Sequence, residues 1–196
     1  MPFPWLKRIR DTGQLTVFNK GGMWADSVNA AIKTFNLLPF ENIELVAEKN
    51  EKSANVVVVL ADGPTSYTRD GNTTQPGPDF KPDKYAGDTR TLRDGRLNEI
   101  FFAAIFLPGK LPKSLTKGQK EVVIVHEFIH ACGVPEHEAT GIMNGYMEPS
   151  NGGLREWGGQ APSMPPIRLG GLTLNRVESV WMSPKAYAAF LQRPDI

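Results

Sequence analysis

The sequence has a single cysteine, Cys132, so no disulfide can form within the chain. Its charges nearly cancel, with 22 basic and 21 acidic side chains and a formal net charge of +1. It therefore lacks the basic surplus typical of proteins that bind nucleic acid or an anionic membrane surface. The longest apolar run, residues 100–107, is far shorter than the roughly 20 residues that cross a bilayer. We expect neither nucleic acid nor a membrane as a partner.

The first residues, MPFPWLKRIRDTG, lack the features of a secretory signal peptide. They contain a basic cluster, but no apolar stretch of about 7 to 15 residues and no small-residue cleavage site. We therefore expect a cytoplasmic location or export by a non-classical route. A length of 196 residues fits one domain with a sizeable core, and we expect a monomer.

Strand-like and helical patterns alternate along the first half of the chain. Residues 26–38 repeat apolar side chains at steps of three and four and stop at Pro39, which predicts a helix. β-Branched and apolar runs predict strands at 14–18, 43–48, 55–60 and 98–108. Near the end, 172–182 and 183–192 have helical patterns, the second with Ser183 as its cap and a proline at its first position.

Two segments, 62–96 and 148–171, are rich in glycine and proline. Because 62–96 has almost no periodicity, we predict that it is a long irregular excursion over the surface. Its six aspartates raise the possibility of a calcium site. They lack the spacing of a calcium-binding loop, however, so a solvated loop is the preferred interpretation.

Histidine is scarce too, and all three histidines lie within HEFIHACGVPEH, residues 126–137. The β-branched run that precedes them, 122–125, favours a strand by local propensity. In a strand, His126 and His130 would lie about 13 Å apart, whereas a helix brings side chains four residues apart to roughly 5 to 6 Å. Since only the helix lets both rings reach one ion, we predict a helix over 117–132.

This helix has start and stop signals. Thr116 and Gln119 are typical of a capping box, and Gly133 can adopt the positive φ that ends a helix and turns the chain. The turn would bring a later residue back to the ion as a third ligand. Three protein ligands leave a fourth position open to water, as in catalytic zinc sites. Glu127, about 100° round the helix from His126, is suited to take a proton from that water.

The stretch HEFIHACG at 126–133, with GIM at 141–143, resembles the signature of the metzincin clan of zinc metallopeptidases, HExxHxxGxxH followed by a methionine-containing turn. The resemblance implies an α+β fold with a small mixed β-sheet, an active-site helix beneath it, and a mostly irregular C-terminal subdomain ending in helix. It implies one catalytic domain over 1–196, with an upper subdomain at 1–133 and a lower one at 134–196. The implied activity is that of a zinc-dependent metalloendopeptidase acting on a peptide or protein substrate.

The chain departs from the metzincin signature at the third ligand. Strict spacing would place this ligand at Glu136, and His137 comes one residue later. Imidazole is the commoner ligand and the loop after the glycine can vary in length. We therefore predict that His126, His130 and His137 hold Zn²⁺, with Glu136 as the alternative third ligand.

The resemblance also bears on three further residues. It assigns Met143 to the turn beneath the metal. Tyr146 is a weaker candidate for approaching the metal or an oxyanion, because it follows the methionine by three residues rather than two. The segment CGVP is similar to the thiol segment of latent matrix metalloproteases, but Cys132 lies about 200° round the helix from His130, so we predict an ordinary core residue.

In the expected reaction, Glu127 deprotonates a water held by zinc, the water attacks the peptide carbonyl, and Glu127 then protonates the leaving amine. Strand 100–107, if it forms the sheet edge, would hold an extended substrate. Two alternatives remain. One is a gluzincin-type peptidase with Glu178 as the third ligand, and the other is a zincin-like metal-binding or structural module without turnover.

Overall fold

The computed structural model describes residues 2–69, 72–82, 86–110, 115–138, 141–143, 167 and 169–192. Over these residues the protein is a mixed α+β structure. The helices in this part of the chain are α1 (Lys7–Arg10), α2 (Ala25–Phe35), α3 (Lys117–Ala131), α4 (Gly171–Trp181) and α5 (Pro184–Phe190). None of these helices is long and apolar enough to span a bilayer.

The strands form one mixed sheet and one hairpin. The strands are β1 (Gln14–Asn19), β2 (Glu44–Glu48), β3 (Val56–Ala61), β4 (Gly63–Arg69), β5 (Thr73–Phe80), β6 (Asp88–Arg93) and β7 (Ile100–Pro108). The five-stranded sheet has the order β2, β1, β3, β7, β6, in which only β6 runs antiparallel to its neighbour. β4 and β5 form the antiparallel hairpin. The predicted α+β class with a mixed sheet is confirmed, while the metzincin fold stays a prediction.

Most predicted elements agree with the structure to within a few residues. The exception among the helices is α2, which ends at Phe35 instead of residue 38. Beyond Phe35 the backbone tightens into i→i+3 turns, in which the Leu37 amide donates to the Thr34 oxygen and the Leu38 amide to the Phe35 oxygen. The side-chain amide of Asn36 donates to the Leu45 main-chain oxygen, and its Oδ1 accepts from the Leu45 main-chain amide, both at 2.9 Å. Asn36 thereby ties the end of α2 to the neighbouring strand β2.

The prediction that 62–96 is irregular is wrong, because strands β4, β5 and β6 lie within it. Few apolar side chains are needed to anchor these strands. Tyr67 and Phe80 are almost fully buried, and the Tyr67 ring packs 5.9 Å from Phe102 and 5.6 Å from Phe106, centroid to centroid. Exposed positions filled with Gly, Pro, Asp and Thr conceal the period of two that would have revealed the hairpin.

The hypothesis that strand 100–107 forms a sheet edge is also wrong. β7 lies between β3 and β6, and the two edge strands are β6 and β2. Eight of the nine β7 residues are buried, as expected of a central strand covered on both faces. The alternate residues Ala103, Ile105 and Leu107 belong to the core shared with α2 and α3, whereas Phe102, Ala104 and Phe106 belong to the core beneath the hairpin.

α3 therefore lies in the larger core, against the sheet and α2. The rings of Phe128 on α3 and Phe35 on α2 meet edge to face at 6.2 Å. Thr34 on α2 donates a 2.5 Å hydrogen bond to Glu121 on α3. Most of the predicted irregular segment 148–171 lies outside the described residues, and the division of the chain at residue 133 stays a prediction.

Candidate metal centre

The helix α3 carries the two histidines of the predicted pair. Its start has the predicted capping box. Thr116 Oγ1 accepts a hydrogen bond from the main-chain amide of Gln119 at 3.2 Å, and Gln119 Oε1 accepts one from the main-chain amide of Thr116 at 2.9 Å. The β-branched run 122–125 is fully or almost fully buried within it. Burial of these side chains against the core outweighs their modest preference for a strand, which is worth tenths of a kcal/mol per residue.

The end of α3 is held by hydrogen bonds from distant parts of the chain. The indoles of Trp5 and Trp181 donate to the main-chain oxygens of Ala131 and Cys132, at 2.8 and 3.0 Å. Gly133 has a φ of 105°, and a Cβ there would overlap the main-chain oxygen of Phe3. The last helical carbonyls therefore have partners, and the chain turns sharply where the sequence predicted a stop.

The three histidines converge through their Nε2 atoms. The Nε2 atoms of His126 and His130 lie 3.0 Å apart, and that of His137 lies 3.2 Å from each of the other two. His126 is buried, His130 is half-buried and His137 is exposed, so the cluster opens to solvent on the His137 side. These three side chains are the one group of His, Cys, Asp and Glu in the described ranges whose atoms are arranged to share an ion.

Main-chain carbonyls fix the orientation of two of the rings. His126 Nδ1 lies 2.6 Å from the Ile142 oxygen, and His130 Nδ1 lies 2.7 Å from the Val134 oxygen. A carbonyl can only accept, so each Nδ1 carries the proton and donates it. The Nε2 atom of each ring then presents a lone pair toward the other histidines, which is the orientation that metal-binding histidines adopt.

The donor set fits a zinc ion. Three nitrogens bound at about 2.0 to 2.1 Å in tetrahedral directions lie about 3.3 Å from one another, close to the observed 3.0 to 3.2 Å. Burial lowers the pKa of His126 well below its usual value and that of His130 to about 4, so both rings are neutral near pH 7. The Nε2 lone pairs of His126 and His130, 3.0 Å apart, repel each other unless a cation or a proton lies close to both.

Glu127 lies beside the histidines in sequence but its side chain turns toward the edge strand β6. It is almost fully buried, and its Oε2 accepts a 2.6 Å hydrogen bond from Thr89 Oγ1. Burial raises the pKa of Glu127 to about 8, with a smaller contribution from the charge of Asp88, while the Thr89 hydrogen bond acts in the opposite direction. A cation on the adjacent histidines would favour the ionised carboxylate.

The other predicted candidates lie elsewhere or outside the described residues. Glu178 Oε1 accepts from the Glu41 amide at 2.8 Å and its Oε2 from Asn42 at 3.2 Å, so its carboxylate is engaged away from the histidines. Glu136 is not among the clustered side chains. Tyr146 lies outside the described residues.

Met143 and Cys132 are both fully buried in the larger core. The Met143 oxygen accepts from the Glu138 amide at 2.7 Å, which links the GIM segment to the residue after the third histidine. Burial raises the pKa of the Cys132 thiol well above its usual value, and Cys132 does not join the histidine cluster. Its burial agrees with the prediction of a core residue.

Sequence reasoning missed two residues that contact Glu127, namely Thr89 and Gly87. Both lie in the segment predicted to be irregular. The alternation in DTRTLR, at 88–93, is a strand signal that could have located Thr89, but nothing local could have paired it with a helix 38 residues away. No protein-family model matches this chain, and comparison with curated proteins finds no relative.

Proposed function

We propose that the protein is a zinc-dependent metalloendopeptidase of the metzincin kind. The observation that carries the proposal is the convergence of three histidine Nε2 atoms within 3.2 Å, next to a buried glutamate on the same helix. Two imidazoles from one helical turn and a third from beyond a glycine stop give three nitrogen ligands. Three ligands leave a tetrahedral ion one position for substrate or water, which suits catalysis better than a closed structural site.

His137 serves as the third ligand in this proposal. Its Nε2 is equidistant from those of His126 and His130, whereas Glu136 lies outside the cluster. The extra residue relative to the metzincin spacing is absorbed between Gly133 and His137, where the chain has left the helix. The hydrogen bond from His130 Nδ1 to the Val134 main-chain oxygen lies at the start of this turn.

The roles of the side chains follow from their chemistry. When bound, zinc supplies Lewis-acid polarisation of the scissile carbonyl and acidifies water near neutral pH. Glu127 accepts a proton from the attacking water and delivers it to the amine as the peptide C–N bond breaks, so that the carboxylate is regenerated. His126 and His130 keep their Nδ1 protons on main-chain oxygens throughout and so remain neutral ligands.

Strand β6 is the feature that best suits an extended substrate. It is one of the two edge strands of the sheet, and it contacts Glu127 through Thr89. A peptide that pairs with an edge strand gains main-chain hydrogen bonds that are independent of its sequence. A substrate in this position would lie along the strand nearest to the general base.

The test is hydrolysis of a dye-labelled unfolded protein by the purified full chain, with metal content measured in the same preparation. We expect about one zinc per chain, cleavage that stops with a chelator and returns with zinc, and a loss of kcat of at least about 100-fold in Glu127→Gln with zinc retained. Glu121→Gln is the matched control, because it changes a glutamate on the same helix that is bonded to Thr34 instead.

Two results would overturn the proposal. Cleavage that survives both the chelator and Glu127→Gln would belong to a contaminant or to another site. One zinc per chain without cleavage of any unfolded protein would identify a metal-binding module without turnover.

A further inference from the structure

Glu127 has three rotatable side-chain bonds, yet the structure gives its carboxylate one defined environment. That environment comes from the beginning of β6 and from the glycine just before it. Thr89 Oγ1 lies 2.6 Å from Glu127 Oε2 and 3.2 Å from the Glu127 main-chain oxygen. The single hydroxyl proton serves chiefly the shorter contact, which is a strong, charge-assisted bond whenever the glutamate is ionised.

Gly87 completes the environment by leaving space. A Cβ at this position would lie 2.6 Å from Glu127 Oε1, 2.7 Å from Cγ and 2.8 Å from Cδ. No real Cβ tolerates such distances, so any side chain here would displace the carboxylate. Residues two apart in an extended chain point to the same side, and Gly87 and Thr89 therefore act on Glu127 together.

We propose that Thr89 is a positioning residue for Glu127, and that Gly87 is required because the Glu127 carboxylate lies against its Cα. The inference rests on the proposed function, because the orientation of Glu127 affects turnover only if Glu127 is the general base. Thr89 is β-branched and lies in a strand, so its χ1 is restricted and its hydroxyl is held in place before substrate arrives. A base held in one orientation avoids the loss of rate that comes from sampling unproductive rotamers.

The proposal predicts a loss of turnover without a loss of metal. Thr89→Val keeps the shape of the side chain and removes the hydroxyl. We expect zinc content to stay at the wild-type level, KM to change less than about twofold, and kcat to fall about 10-fold or more. Thr89→Ser restores the hydroxyl and should recover most of kcat. Gly87→Ala should lower kcat at unchanged zinc content, by displacing the carboxylate instead of releasing it.

Thr34→Val is the matched control. Thr34 donates a 2.5 Å hydrogen bond to Glu121, so this variant also removes a short threonine-to-glutamate bond on α3, six residues before Glu127. It should lower stability by about as much as Thr89→Val and leave kcat unchanged. If the two variants lose the same stability and both keep wild-type kcat, the Thr89 bond is purely structural and the proposal fails.

A second readout separates this proposal from the proposed function. Crystal structures of the zinc-loaded wild type and Thr89→Val should show Glu127 in one rotamer in the former and in several in the latter. If the wild type cleaves nothing but Glu127 loses its single rotamer in the variant, the positioning stands and the peptidase assignment falls. A single unchanged rotamer in Thr89→Val would overturn the positioning, whatever the activity.

Discussion

Trp181 Nε1 donates a 3.0 Å hydrogen bond to the main-chain oxygen of Cys132, the residue that caps the metal-site helix. Both residues are buried. At the other end of α4, Thr173 Oγ1 donates a 2.5 Å hydrogen bond to Glu138, the residue after His137. One helix therefore holds both ends of the segment that runs from the end of α3 to the third histidine, although α4 contributes no side chain to the cluster.

Trp181→Phe should weaken zinc binding as well as stability. The substitution keeps most of the ring but leaves a buried carbonyl without its donor, at a cost of about 1 to 3 kcal/mol in the free energy of unfolding. Because that carbonyl lies just before the turn to His137, we also expect zinc affinity to fall about 10-fold, as when supporting groups of metal ligands are removed. Urea denaturation and zinc titration against a competing chelator measure the two effects.

The control for this variant is Trp24→Phe. Trp24 Nε1 donates to the Pro108 oxygen at 2.7 Å, so an equivalent buried indole bond is lost at the end of β7. We expect a similar loss of stability with wild-type zinc affinity. Equal zinc affinities in the two variants would mean that Trp181 stabilises the fold without supporting the metal centre.

The central geometry of the site was predictable because it depends on spacing within one helix. His126 and His130 are four residues apart, and the requirement that both rings reach one ion decided between helix and strand where the valine run could not. The end of that helix was predictable for an equally local reason, because glycine readily adopts the positive φ that Gly133 has in the structure. A sequence therefore predicts structure best where residues close in the chain are compatible with only one backbone conformation.

The remaining parts of the site could not be predicted, because they depend on contacts between segments far apart in the chain. Thr89 is 38 residues from Glu127, and Trp181 is 49 residues from Cys132. β6 also lies in a segment predicted to be irregular, so β7 was considered as a sheet edge instead. Which side chain of an edge strand meets which side chain of a helix is fixed by sheet order and register, and neither follows from local pattern.

Thr173→Val should reduce zinc affinity by releasing Glu138. The variant retains the shape of the threonine, which is almost fully buried, and removes the donor to Glu138 Oε1. Because Glu138 is bonded covalently to His137, greater mobility of Glu138 should make the His137 imidazole less well positioned. We therefore expect zinc affinity to fall about 10-fold in Thr173→Val and to be restored in Thr173→Ser. Competition with a chromogenic chelator provides the measurement. An unchanged affinity in Thr173→Val would show that the turn holds His137 without help from α4.

His137→Ala and Glu136→Ala should have very different effects on zinc occupancy. Loss of the His137 imidazole leaves two nitrogen ligands, so we expect affinity to fall by more than the roughly 100-fold that loss of a supporting group can cost. Glu136 lies outside the histidine cluster, and its removal should change affinity by less than about 10-fold. Zinc per chain after dialysis measures both. The reverse order would make Glu136 the third ligand, as strict metzincin spacing requires.

Gly133→Ala should destabilise the protein, whether or not zinc is bound. Gly133 has a φ of 105°, a conformation that an L-residue adopts only with strain, and an added Cβ would overlap the Phe3 oxygen. We expect a loss of more than about 1 kcal/mol in the free energy of unfolding, measured by urea denaturation with zinc and with a chelator. Gly95→Ala is the control, because Gly95 has no positive φ and a Cβ there would meet nothing within 4 Å. If the two variants unfold at the same urea concentration, the turn tolerates a side chain, and the direction of the chain after α3 must be set by the Trp5 and Trp181 hydrogen bonds instead.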